Sequence, residues 1–118
     1  MNIPHELDFR VIDWDTLNTT EHKGVTGTAL WRTLQTDGFR VRMVDYSPGY
    51  MADHWCSKGH IVHCISGELE SELQTGEIFI LKAGMSYIVG DDRSSHRSRT
   101  EQGVQLLIID GDFLNRKE

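Results

Sequence analysis

Apolar and polar residues alternate over short stretches of the chain, and glycines separate these stretches. The segments "GTALWRTL" (27–34), "FRVRMVDY" (39–46) and "VQLLIID" (104–110) show the alternation most clearly. A period of two places every second side chain on the same face, as in a strand that is buried on one side. Short strands at nearly regular spacing with glycine turns are typical of a β-sandwich or β-barrel. The chain is therefore predicted to be all-β.

One hairpin is visible in the middle of the chain. The segment "ELESELQTGEIFILKAG" (68–84) contains two strand-like runs that meet at Thr75 and Gly76. A polar residue followed by glycine is a strong turn signal between two strands. The segment "HIVHCIS" (60–66) is predicted to be a separate strand, which ends at Gly67.

The first residues differ from the rest of the chain because they do not alternate. Residues 1–24 are predicted to be an N-terminal arm, and residues 25–118 a single domain. Within the arm, "DWDTLN" favours a short helical turn with Asp13 or Asp15 as its cap.

Composition limits the function classes. The chain has 118 residues, 38% of them hydrophobic, which is enough for one core. A formal net charge of −6 argues against nucleic acid and anionic membranes as partners, because both require a basic surface. No apolar run reaches the length of a membrane span, and the first ten residues are too polar for a signal peptide. The protein is predicted to be cytoplasmic, with its two cysteines as thiols or metal ligands.

The stretch "ADHWCSKGHIVHCISG" (52–67) concentrates the residues that bind metals. It holds three of the six histidines and both cysteines. On a strand, His54 and Cys56 share a face, and Gly59 permits a turn. If the strands on either side of residues 57–59 pair, His60 returns opposite Cys56, so three donors converge. A cation needs at least one more donor, and His96 at the start of "HRSRT" is the best candidate.

Two further residues of the stretch are expected to serve other purposes. His63 falls on the face opposite His60, which favours a role in packing or at an interface. Cys64 shares the face of His60, but free cysteine is among the most buried residue types, so a core thiol is expected.

These residues resemble the two motifs of the cupin family. The first motif has a glycine, a His-x-His pair, a glutamate and a second glycine, and the matching positions are Gly49, His54, Cys56, His60 and Gly67. Cys56 stands at the position of the second histidine, and His60 stands at the position of the glutamate.

The second cupin motif is less complete. It keeps Gly84 and its metal-binding histidine, His96, whereas Thr100 replaces the terminal asparagine. Residues 25–110 also resemble a small bacterial cupin subgroup that is known by an Asp-His-Trp-Cys signature.

The resemblance implies a small cupin barrel, or jelly roll, with an ion inside it. The ligands would be His54, Cys56, His60 and His96. One thiolate with imidazoles suits Zn²⁺, and Fe, Ni or Co remain alternatives. Four bound residues would make a closed, structural site, whereas a vacant position would admit water or substrate.

The mouth of the barrel would supply the substrate pocket. An inward arginine would favour an anionic substrate such as a carboxylate, although Arg40 and Arg42 on either side of Val41 more simply indicate a solvated strand face. The candidates for binding the substrate are Tyr50, Tyr87, Ser98, Thr100 and one arginine out of Arg32, Arg40 and Arg42.

Two functions remain open at this point. The first is a metal-dependent enzyme, such as a dioxygenase, isomerase or lyase, that acts on a small metabolite. The alternative is a binding or sensor protein without catalysis, in which the metal is structural. Small cupins often pair through an N-terminal strand, so the resemblance also implies a homodimer.

Overall fold

The fold was determined as a computed structural model that describes residues 7–115. Eight strands and two 3₁₀ turns account for the regular structure of these residues. The strands are β1 (Thr19–Lys23), β2 (Thr28–Thr36), β3 (Phe39–Tyr46), β4 (His60–Leu73), β5 (Ile78–Lys82), β6 (Ser86–Val89), β7 (His96–Arg99) and β8 (Val104–Gly111), and the 3₁₀ turns are Trp14–Thr16 and Asp112–Leu114. None of the described segments is a helix long and apolar enough to cross a bilayer.

All strand pairs are antiparallel, and the sheet is rolled around the long strand β4. The order of the strands is β1-β2-β3-β8-β4-β5, while β6 and β7 also pair with β4. The first half of β4 pairs with β6 and β8, and its second half pairs with β5 and β7. One strand therefore runs through both sheets of a jelly roll.

An irregularity just before Gly67 allows β4 to pass from one sheet to the other. The register against β8 shifts between Cys64 and Ser66. Gly67 then takes a φ of 81°, and a Cβ atom there would collide with the carbonyl oxygen of Gly103. Only glycine fits this position without strain. The two strands predicted on either side of Gly67 are consequently one bent strand.

The predicted hairpin at 68–84 and the predicted turn near Asp13 are confirmed, and one strand is an addition. The predicted hairpin is formed by β4 and β5, and its tight turn includes a hydrogen bond from Gly76 N to Leu73 O. The first 3₁₀ turn begins after Asp13, whose carboxylate accepts a hydrogen bond from Asp15 N. The addition is β1, which lies in the predicted arm and pairs with β2 along its whole length.

The core lies between the sheets and is built from alternate residues. On β8, Val104, Leu106 and Ile108 are buried, and Asp110 continues the same face. On β3, the corresponding buried positions are Arg42 and Val44. The inward face of both strands therefore changes from apolar to charged at one end of the barrel, and this end holds the site described next.

Candidate metal centre

Three of the predicted ligands meet inside the barrel. The donor atoms of Cys56, His60 and His96 all lie within 4.8 Å of one another. The Cys56 sulfur is 3.3 Å from Nε2 of His60. His60 and His96 are the first residues of β4 and β7, and both are buried. The structure therefore places three of the four predicted ligands close together.

Cys56 reaches the cluster by a different pairing from the one predicted. It lies in the segment between β3 and β4, and its backbone pairs with that of His96 through Cys56 N to His96 O at 2.7 Å and His96 N to Cys56 O at 3.0 Å. The predicted hairpin between Cys56 and His60 is wrong. The sequence could not show this pairing, because its two partners are 40 residues apart.

Both histidine rings are held so that Nε2 faces the cluster. Nδ1 of His96 is 2.8 Å from the carbonyl oxygen of Ser94, which can only accept a hydrogen bond. Nδ1 of His60 is 3.3 Å from Oδ2 of Asp110, which also accepts. Each Nδ1 therefore carries a proton, so Nε2 is the nitrogen of each ring that can bind a metal ion.

The structure does not bring His54 into this group. Its side chain is 71% exposed, and its Nδ1 lies 2.7 Å from Oδ1 of Asp53. The segment from residue 52 to residue 55 contains no strand, so the rule of alternation that placed His54 beside Cys56 does not apply there. Asp53 is thus the hydrogen-bond partner of His54.

A cavity of about 160 Å³ opens onto the cluster. Five of the candidates for substrate binding line it, and so does His54; they are Arg40, Arg42, Tyr50, Tyr87 and Ser98. Thr100 does not line this cavity, and its hydroxyl donates to the carbonyl oxygen of Glu68 at 2.7 Å. Arg32 lies away from it and pairs with Asp15 at 3.6 Å.

Solved structures match this architecture at low sequence identity. An RmlC-like cupin from Shewanella frigidimarina gives a TM-score of 0.71 at 14% identity, over 88% of this chain and 91% of that protein. A predicted oxalate decarboxylase from Thermotoga maritima gives 0.72 at 14% identity, over 86% and 99%. Ectoine synthase from P. lautus gives 0.71 at 20% identity, over 87% and 78%. The protein has the cupin fold.

The expected cupin fold is thus confirmed by structure rather than by sequence. No protein-family model matches the chain, and a search of curated proteins finds no match either. Because the identities to the solved structures are so low, the similarity establishes the fold of this protein and leaves its chemistry to its own residues.

The donors of the cluster fit a transition-metal ion. Nε2 of His96 is buried and has no hydrogen-bond partner among residues 7–115. An unsatisfied buried nitrogen is costly, and a metal ion would satisfy it. A thiolate with two imidazoles is a donor set that Zn²⁺ favours. Asp110 and the Ser94 carbonyl are the outer partners that usually orient metal-binding histidines.

The charge of the Cys56 sulfur also favours a cation at the cluster. Burial raises the pKa of the Cys56 thiol, but the hydrogen bond and the charge of the His60 ring, together with the nearby His96 ring, outweigh burial and lower the pKa to about 5. The thiol is therefore ionised at neutral pH, and a metal ion need not displace its proton. Burial lowers the pKa of His60, but Asp110 and Cys56 outweigh it and raise the pKa.

Asp110, the buried carboxylate behind the cluster, was not among the site residues predicted from the sequence. It is 1% exposed and binds Arg40 Nε at 2.8 Å, Arg42 Nη2 at 3.0 Å and His60 Nδ1 at 3.3 Å. The signal was present, because Asp110 continues the inward face of Leu106 and Ile108 at a spacing of two.

Arg42 is buried rather than solvated. It is 4% exposed, so the simpler expectation of a solvated strand face is wrong for this residue. Its guanidinium group lies 4.4 Å from the ring centre of Trp31 and bonds to Asp110. A carboxylate and an aromatic ring together make a buried arginine tolerable.

Aromatic residues complete the wall of the cavity. The rings of Tyr46 and Tyr50 stack with their centres 4.1 Å apart, and Tyr87 meets His96 edge to face at 5.9 Å. Burial is the main cause that raises the pKa of both Tyr46 and Tyr87. Both phenols therefore stay neutral and can donate hydrogen bonds to an anion.

Proposed function

We propose that this protein is a metal-dependent enzyme that acts on a small anionic metabolite inside the barrel. One observation carries the proposal: among residues 7–115, three donors rather than four converge at the wall of an open cavity. Catalytic zinc sites characteristically have three protein ligands and one position for water or substrate, whereas structural sites have four. Cys56, His60 and His96 would hold the ion.

Zinc is the ion that the donor set favours, with Fe, Ni or Co as alternatives. Such an ion supplies a Lewis acid and lowers the pKa of bound water. The two unpaired cysteines, Cys56 and Cys64, suit a reducing compartment, so we place the protein in the cytoplasm.

The residues around the cluster would bind and orient the substrate. Arg42 offers a fixed positive charge in the cavity wall, and the neutral phenols of Tyr46 and Tyr87 offer hydrogen bonds. Asp110 would hold the His60 ring and keep its proton on Nδ1. Two proteins with this fold, ectoine synthase and a predicted oxalate decarboxylase, are named as enzymes, and oxalate is a small anion, which supports the proposal.

The vacant coordination position can be tested with cobalt. We expect the Co²⁺-loaded protein to show a thiolate-to-metal absorption band and to change its visible spectrum when azide is added, because azide can occupy the open position. The variant His63→Ala is the control, since His63 is bonded to Ser86 outside the cluster and should leave the spectrum unchanged. A cobalt spectrum that does not respond to azide would indicate a closed, structural site and contradict the enzyme.

We also propose that the protein forms a homodimer. The strand β5 lies at the end of the strand order, and its Ile78, Phe79 and Ile80 are 54%, 51% and 39% exposed. An apolar edge strand that is left open invites pairing with another chain. We expect light scattering after gel filtration to give twice the 13.5 kDa of one chain, and Phe79→Lys to reduce it. A monomer at micromolar concentration would refute the dimer.

A further inference from the structure

The cavity has a charge that is opposite to the charge of the whole protein. Four of the 12 lysines and arginines line it, namely Arg40, Arg42, Lys58 and Arg97, and none of its described lining residues is an aspartate or glutamate. The whole chain carries a formal charge of −6. A cavity whose charge differs so strongly from its surroundings concentrates small anions.

Part of this positive charge is already neutralised inside the protein. Arg97 pairs with Glu72 at 2.8 Å. Arg40 and Arg42 share the single carboxylate of Asp110, which leaves one positive charge between them. Lys58 is exposed and has no ion pair with any residue between 7 and 115. Apart from the Cys56 sulfur and the metal ion that it would bind, two positive charges remain for a ligand: one is shared by Arg40 and Arg42, and one is on Lys58.

The cationic side chains of the cavity lie at different depths. Arg42 is buried in the cavity wall, whereas Arg40, two residues earlier on the same face of β3, is 28% exposed in its side chain. Residues two apart on a strand are separated by about 7 Å. Arg40 and Lys58 also line an adjoining groove of about 330 Å³, which places both at the rim. The cavity therefore has an inner and an outer cationic position.

We propose that the ligand of this cavity is a short dicarboxylate, with one carboxylate at Arg42 and the other at Arg40 and Lys58. The inference rests on the proposed function and names its substrate class. A single carboxylate would leave one cationic position unoccupied, and a phosphate ion would concentrate its charge at one point. The cavity volume of about 160 Å³ is below the usual range of about 300–1,000 Å³ for ligand pockets, which restricts the ligand to a few carbon atoms.

Calorimetric titration of the protein with three probes tests the proposal. Succinate carries two carboxylates, butyrate has the same number of carbons with one, and phosphate is a compact anion. We expect succinate to bind about tenfold more tightly than butyrate or phosphate, as one added charge-assisted hydrogen bond would give. Lys58→Gln should remove most of this preference, whereas Lys82→Gln, an exposed lysine on β5, should preserve it.

The titrations are run on zinc-loaded and metal-free protein, with the metal content measured for each variant. Equal affinities for succinate and butyrate, tighter binding of phosphate, an unchanged preference in Lys58→Gln or no binding of any probe would each overturn the dicarboxylate. A protein that prefers succinate but binds no metal would uphold the dicarboxylate and refute the metal-dependent enzyme. The two proposals can therefore fail separately.

Discussion

Replacing Cys56 by serine should lower the affinity for Zn²⁺ by about 100-fold. Zinc bound at four ligands has a binding free energy of about 10–16 kcal/mol, so one ligand contributes roughly 3 kcal/mol, and each 1.4 kcal/mol is tenfold. The serine hydroxyl is a poor substitute because it stays protonated at neutral pH. His96→Ala should have a similar effect, because Nε2 of His96 has no other described partner. Competition against a zinc-binding dye measures both affinities.

His54→Ala is the matched control for these variants. The sequence predicts His54 as one of four ligands, but the structure places its ring at the exposed edge of the cavity against Asp53. We expect its zinc affinity to stay close to that of the wild type. Equal losses in all the variants would restore the four-ligand site. An unchanged zinc affinity in Cys56→Ser would show that Cys56 is not a metal ligand. The contacts from Cys56 to His60 and from His60 to Asp110 would then indicate a thiol nucleophile with its base.

Replacing Asp110 by asparagine should cause the largest loss of stability. The substitution leaves Arg40 and Arg42 without their carboxylate, and Arg42 is 4% exposed. Breaking a buried ion pair by removing one partner costs about 3–5 kcal/mol. Denaturant unfolding of the metal-free protein should therefore show a reduced free energy of unfolding. Zinc affinity should also fall by about 10–100-fold, because His60 loses the partner that orients its ring.

The pH dependence of the free energy of unfolding distinguishes the effect of the charge of Asp110 from the effect of its shape. Burial raises the pKa of Asp110, but hydrogen bonds from His60 and Arg40 and the charge of Arg42 lower it well below the usual 3.8. A lowered pKa in the folded state stabilises the protein above about pH 4, and this contribution is lost as the pH falls further. The difference between wild type and Asp110→Asn should therefore shrink below pH 4. Asp112→Asn, an exposed neighbour, is the control.

A difference between wild type and Asp110→Asn that stays constant down to pH 2 would show that the charge is not what stabilises this region. An unchanged free energy of unfolding at pH 7 would contradict the role of Asp110 altogether.

The sequence predicted the strands well because alternation is a local property. Strand β3 spans the predicted "FRVRMVDY" from Phe39 to Tyr46, since side chains on successive residues of a strand must face opposite sides. The donors Cys56 and His60 could be predicted because histidine and cysteine are concentrated in residues 52–67. His96 was then identified by elimination and by the cupin motif.

The errors arose where distant parts of the chain meet. The pairing of Cys56 with His96 joins residues 40 positions apart, so no local pattern reports it. The bend at Gly67 depends on the carbonyl of Gly103. Arg42 was expected to be solvated because a charged residue is rarely buried, and only Asp110 on another strand makes its burial acceptable. His54 was misplaced because the irregular segment around it does not alternate.

X-ray absorption at the zinc edge of the zinc-loaded protein tests the central claim most directly. We expect one sulfur ligand at about 2.3 Å and two imidazole nitrogens at about 2.0–2.1 Å, together with a light atom from water. Cys56, His60 and His96 would account for these protein ligands. A first shell without sulfur, or one with three imidazoles and no water, would contradict an open site built from these three residues.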